Sequence, residues 1–265
     1  MKSNLQQEFL FQVFALIVAA ILVHAVYVTL IRPNAEAVLE EQRALAQQVE
    51  DYTPERSLYV VLRDFEQESC FILMLWAMAI MGFKAQGALR ERRLLGEALI
   101  PLQEGMSILP EDSREYMRPI QALPEGTREY LLPRTLLAAL QRFASTRNVQ
   151  DVSEAVRANC EAEQDRLDAE LSMVRYIAWA IPSIGFIGTV RGIGDALGQA
   201  NKAVQGDIAG VTEALGVAFN STFVALLISI LIMFLMHQLQ LLQERLVLDT
   251  QIYADARLIR HMQVR

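Results

Sequence analysis

Cysteine and histidine are scarce in this sequence: two of one and three of the other in 265 residues. Cys70 and Cys160 fall on opposite sides of the topology read below, which excludes an internal disulfide. With His24, His237 and His261 scattered along the chain, no spacing suits a metal ion. No histidine or cysteine stands beside an acid or base that would activate it. The one glycine run that looks like a phosphate loop, Gly188 to Gly194 ("GTVRGIG"), lies inside an apolar stretch rather than after a strand. An excess of basic charge is also missing. The net charge is −7, so nucleic acid is not an expected partner. The chain has no repeat of fixed period and no low-complexity tail. These absences argue against an enzyme and leave no cofactor to expect.

Charge itself is absent over long runs. Residues 9–31 hold no charged side chain in 23 positions. That length crosses a hydrocarbon core of about 30 Å. Arg32 and Pro33 follow without a small-residue cleavage site, so the run reads as a membrane span and not a signal peptide. Three more apolar blocks follow, expected to cross at residues 69–83, 176–197 and 214–236. The second is short, and Thr53 and Pro54 read as N-cap and N1 of a helix that enters it from upstream. The fold class is therefore all-α: an integral membrane protein with four transmembrane helices and long cytoplasmic helical extensions. The lipid bilayer is its surroundings.

Basic residues orient the spans. With the N-terminus inside, cytoplasmic segments hold eighteen Lys or Arg and outer segments six, which favours both termini in the cytoplasm. The expected segments are a cytoplasmic N-terminus (1–8), a periplasmic loop (32–68), a cytoplasmic helical domain (84–175), a second periplasmic loop (198–213) and a cytoplasmic C-terminal helix (237–265). The first outer segment is acidic, with nine carboxylates, and residues 35–51 suit an amphipathic helix. In the cytoplasmic domain, helix-length stretches at 84–100, 135–143 and 151–174 are separated by Pro101, Pro110, Pro119, Pro124 and Pro133.

The third span concentrates small and helix-weakening residues. Pro182, Gly185, Thr189 and Gly192 are spaced three, four and three and share one helix face. Gly188 and Gly192 form a G-x-x-x-G pair, the pattern that lets helix backbones approach closely in lipid. On the fourth span Ala218, Thr222, Ala225 and Ser229 are spaced four, three and four. Two such faces suit helix packing, and Thr189, Thr222, Ala218 and Ser229 also suit the lining of a passage. Asp195 and Glu213 lie at the outer ends, so neither helix carries an acid in its apolar middle, and the carboxylate is expected from another protein. His24, mid-span in the first helix, is read as a neutral histidine bonded within a helix packing.

The segment "AIPSIGFIGTVRGI" from Ala180 resembles the Pro-x-x-Gly-x-x-Gly-Thr-Val-x-Gly-Ile signature of the MotA/TolQ/ExbB proton-channel family, and "EALGVAFNSTFVALLISI" from Glu213 resembles the helix that follows it. The resemblance implies a homopentamer in the bacterial inner membrane. Its last two spans would surround a dimer of a single-transmembrane MotB/TolR/ExbD-like partner carrying a membrane aspartate. It implies conduction of H+ or Na+ by a rotary motor subunit that converts ion-motive force into mechanical work. Thr189 falls on the family's pore-facing threonine. The family's second threonine would stand at Ala218, with Thr222 one turn later on the same face, about 6 Å along the axis. The contrasting reading is a passive helical scaffold that recruits partners through its cytoplasmic domain.

Overall fold

A long apolar run can satisfy its backbone in lipid only as a helix or a closed barrel. The computed structural model, which describes residues 2–48, 56–100 and 106–264, holds helices and no strand among them. Four helices are long and apolar enough to cross a membrane: Gln6–Leu45, Phe65–Leu94, Val149–Gly198 and Ala209–His261. By its contacts the chain divides into two compact units, Met1–Met81 with Met173–Met236, and Gly82–Ser172 with His237–Arg265.

In the first unit, α1 (Lys2–Val26) does not end before Pro33. It widens into a π-helical turn (Tyr27–Ile31) and continues as α2 (Arg32–Gln48). Proline within a helix removes a donor and presses its ring on the carbonyl four residues back. The wide turn relieves this, and the Arg32 N–H reaches Tyr27 O, five residues back. The turn buries Tyr27 and Ile31 against Phe71 and Leu75. Thr53 and Pro54, expected to start the second span's helix, lie outside the described residues. There the described chain has a short α3 (Leu58–Leu62), then α4 (Phe65–Leu94), which opens with Glu66 and Glu68. After α9 (Ser172–Gly198) and the short α10 (Ala200–Val204) comes α11 (Ala209–Arg257).

In the second unit α5 (Ser113–Gln121), α6 (Glu125–Arg128), α7 (Leu131–Thr146) and α8 (Val149–Glu170) join the end of α11. Leu132, Leu136, Ala139, Leu140 and Phe143 of α7 recur at helical spacing and are buried with Val152 and Val156 of α8 and Ala254 and Leu258 of α11. Pro133 is harmless in the first turn of α7, where its missing N–H has no partner to lose. Arg147 takes φ 52°, left-handed, and ends α7; Asn148 caps α8 by accepting from the Gln150 N–H at 2.9 Å. The chain thus turns in two residues, and α7 and α8 pack along each other.

Glu163, 4% exposed, accepts from Arg134 of α7 and Arg166 of α8, both at 2.7 Å. Both arginines are partly exposed, so Glu163→Ala is expected to lower the stability of this unit by about 2 kcal/mol, measured by thermal melting.

Candidate functional site

The small residues of α9 lie directly against α11. A methyl built at Gly185 would sit 2.5 Å from Ala225 Cβ and 3.1 Å from Thr222 Cα. At Gly188 it would meet Ser221, with Cβ at 2.6 Å. At Gly192 it would meet the α11 backbone itself, Ala214 O and Ala218 N both at 2.7 Å. Any side chain here would force the helices apart. Gly194, on the other face, has nothing within 4 Å.

Close approach exposes backbone carbonyls to the side chains of the neighbouring helix, and α11 answers with hydroxyls. Pro182 has no N–H, so Ala178 O lacks its usual donor four residues on. Ser229 Oγ, buried on α11, donates to that carbonyl at 3.3 Å. Two turns further, Gly185 O accepts from Thr222 Oγ1 at 2.9 Å and from Ser221 Oγ at 3.3 Å. Thr189 Oγ1 lies 3.0 Å from Ala218 O and in direct contact with Thr222 Oγ1. Thr189 Oγ1 also lies 3.4 Å from Gly185 O, so the two threonine protons have more acceptors than they can serve at once: Gly185 O, Ala218 O and each other's oxygen. Either Thr222 donates to Gly185 O, or it turns and donates to Thr189, which donates to Ala218 O. The pair is a reorientable hydroxyl site.

Thr189 and Thr222 are both half-buried, whereas Ala218 is fully covered and Ser229 nearly so. Of the expected lining residues, the structure therefore brings Thr189 and Thr222 together at an accessible edge and places Ala218 and Ser229 in the α9–α11 interface. Pro182 is half-buried; Gly185, Gly188 and Gly192 are buried. Ser221, fully buried, bonds Gly185 O and lies against Gly188, yet it is absent from the stripe read along the fourth span. Its position three residues after Ala218 and four before Ala225 was the available signal. Phe186, Ile187 and Val190 on α9, and Phe219, Phe223 and Phe234 on α11, are exposed, as suits contact with lipid or other apolar helices.

The first unit also holds its own buried carboxylates. Glu66 and Glu68, placed by the sequence reading in an outer loop, are in the first turn of α4 and only 8% and 6% exposed. Glu66 pairs with Arg191 of α9 at 2.8 Å, and a methyl built on Gly188 would be 3.0 Å from Glu66 Cγ. Glu68 pairs with Arg32 and lies 2.7 Å from His24 Nδ1. The neutral histidine of the sequence reading thus has a carboxylate partner. Charges distant in sequence meet here because an arginine or glutamate buried in an apolar bundle needs an opposite charge.

Cys70 and Cys160 are buried free thiols, and Cys70 Sγ faces Ile181 O at 3.7 Å. Among the described residues no group of three or more His, Cys, Asp or Glu suits a metal ion.

Residues 128–252 match the family model described as the MotA/TolQ/ExbB proton channel family. That stretch holds α9, most of α11 and the threonine pair. No curated protein and no solved structure matches the chain.

Proposed function

We propose, from the premise that residues 128–252 belong to the MotA/TolQ/ExbB proton channel family, that this membrane protein is the ion-conducting subunit of a bacterial inner-membrane rotary motor. In this reading five copies surround a dimer of a single-span MotB/TolR/ExbD-like partner, both termini of each copy face the cytoplasm, and the partner's membrane aspartate carries the ion. The matched family is one of proton channels, not a class of enzymes. H+ is the expected ion, with Na+ the alternative.

The observation that carries the reading is the Thr189–Thr222 pair. It lies where glycine lets α9 and α11 touch, and its protons can be arranged in more than one way. Such a pair can donate to a passing carboxylate and then close on itself, giving a polar contact without a fixed charge that would hold the partner helix in place. Covered by a partner helix, the contact would lose water and strengthen.

The test is the mass of the complex extracted gently from its native membrane, with every accompanying chain identified. Five copies with two copies of a single-span chain bearing a membrane aspartate are expected. A complex without such a chain would overturn the motor reading and favour the scaffold.

A further inference from the structure

At the start of α4 three buried polar atoms have no hydrogen-bond partner among the described residues: Tyr27 OH, Asp64 Oδ2 and Gln67 Oε1. Tyr27 and Gln67 are 1% and 0% exposed. Gln67 donates through Nε2 to Val61 O at 2.9 Å, which leaves its carbonyl oxygen free, and its side chain lies at Asp64. The Tyr27 hydroxyl, brought inward by the π turn, lies among the charges of Glu68, Arg32 and Asp64. Buried polar atoms without protein partners are normally satisfied by water, and this site has the two to four polar groups that hold one.

The neighbouring carboxylates are not equivalent. Glu66 is held by Arg191, and Glu68 by Arg32 and His24. Asp64 has Arg63 Nε at 3.6 Å from Oδ1 and the Gln67 side chain beside it, its Oδ2 has no partner among the described residues, and its side chain is 15% exposed. Burial pushes the Asp64 carboxyl above the ordinary carboxylate range; Arg63, which also pairs with Glu213 of α11 at 3.0 Å, Arg191 and a Gln67 hydrogen bond oppose this, and Glu66 reinforces it. Asp64 is thus the acid of the group that keeps a buried oxygen without a partner among the described residues. Glu66, its neighbour, touches the turn of α9 that carries Gly188 and Thr189.

We propose that Asp64, with Tyr27, Gln67 and the ion-paired Glu66 and Glu68, forms a hydrated proton-uptake site of this chain, feeding the Thr189–Thr222 pair. The proton moves from a hydronium in outer water to Asp64 Oδ2, leaving water and a neutral acid, and its release restores the carboxylate. Proton uptake rests on the geometry here; feeding the pair rests on the ion-conducting reading above.

Infrared spectroscopy of the full chain in lipid bilayers, titrated with pH, tests the site without a partner or ion flow. A protonated-carboxyl band should persist above the ordinary carboxylate range, exchange in D2O, and disappear in D64N. E66Q should shift its titration to lower pH and R191Q to higher pH, because Glu66 favours the proton on Asp64 and Arg191 disfavours it. A band that survives D64N, resists exchange, or shifts the same way in both variants overturns the site. Proton flux in vesicles holding the whole complex tests the second step. Loss of flux in D64N supports feeding of the pair, and undiminished flux in D64N overturns it. A wild-type complex that conducts nothing while the band titrates as expected overturns the ion-conducting reading and leaves the uptake site standing.

Discussion

Replacing Thr189 by valine is expected to cut ion-driven work roughly 10- to 100-fold while leaving the complex assembled. Valine keeps the branched shape, so the α9–α11 contact keeps its packing. Gly185 O retains Thr222 as a donor, and Ala218 O retains its place in the α11 backbone ladder. The fold should lose about 1 kcal/mol, the worth of a neutral hydrogen bond. The ion pathway should lose more. A hydroxyl that meets a charged carboxylate is worth about 1.5–3 kcal/mol, or roughly 10- to 100-fold in rate if the contact forms at the barrier. Thr222→Val should act in the same direction, and the double variant should cost less than the sum, because each threonine's contact includes the other. Flux through vesicles reads the pathway, and the native mass of the complex reads assembly. A Thr189→Val protein that conducts normally would remove the pair from the pathway; one that fails to assemble would make it a packing device.

Gly192→Ala should be among the most damaging single-methyl changes in the third span. The added carbon would fall 2.7 Å from two backbone atoms of α11, and a backbone cannot turn aside as a side chain can. Overpacking of this kind costs about 1–3 kcal/mol. For a chain of this size, each kcal/mol corresponds to a melting shift of about 2–4 °C. Gly194→Ala, two residues on, meets nothing within 4 Å and should gain up to about 1 kcal/mol from helix propensity. Melting of the two purified variants side by side decides it: equal shifts would mean that the close approach at Gly192 does not govern stability.

Much of this molecule is legible in one dimension. The helical class and the four apolar stretches follow from run length and the lack of charge, because a bilayer permits few other structures. The spacing of Gly185, Thr189 and Gly192 is legible because a helix returns to the same face every three to four residues. The family signature is legible for the same reason: it lies within one helix and the start of the next.

What meets those residues is not legible. Ser221 was hidden because a period on α11 admits neighbouring stripes, and only the measured approach to Gly188 selects one of them. The first span reads as ending at residue 31, yet the helix continues through Pro33, because a π turn relieves the clash of the proline ring. Above all, Glu66 and Glu68 read as loop acids in an acidic segment. Their partners, Arg191 and His24, are 125 and 44 residues away. Sequence by itself determined the helices and the spacing of their faces, since both are local properties of the backbone. Only tertiary structure decided which charges pair and which polar atoms remain unpaired, because electrostatic compensation in a buried site depends on distance in space and is indifferent to distance along the chain.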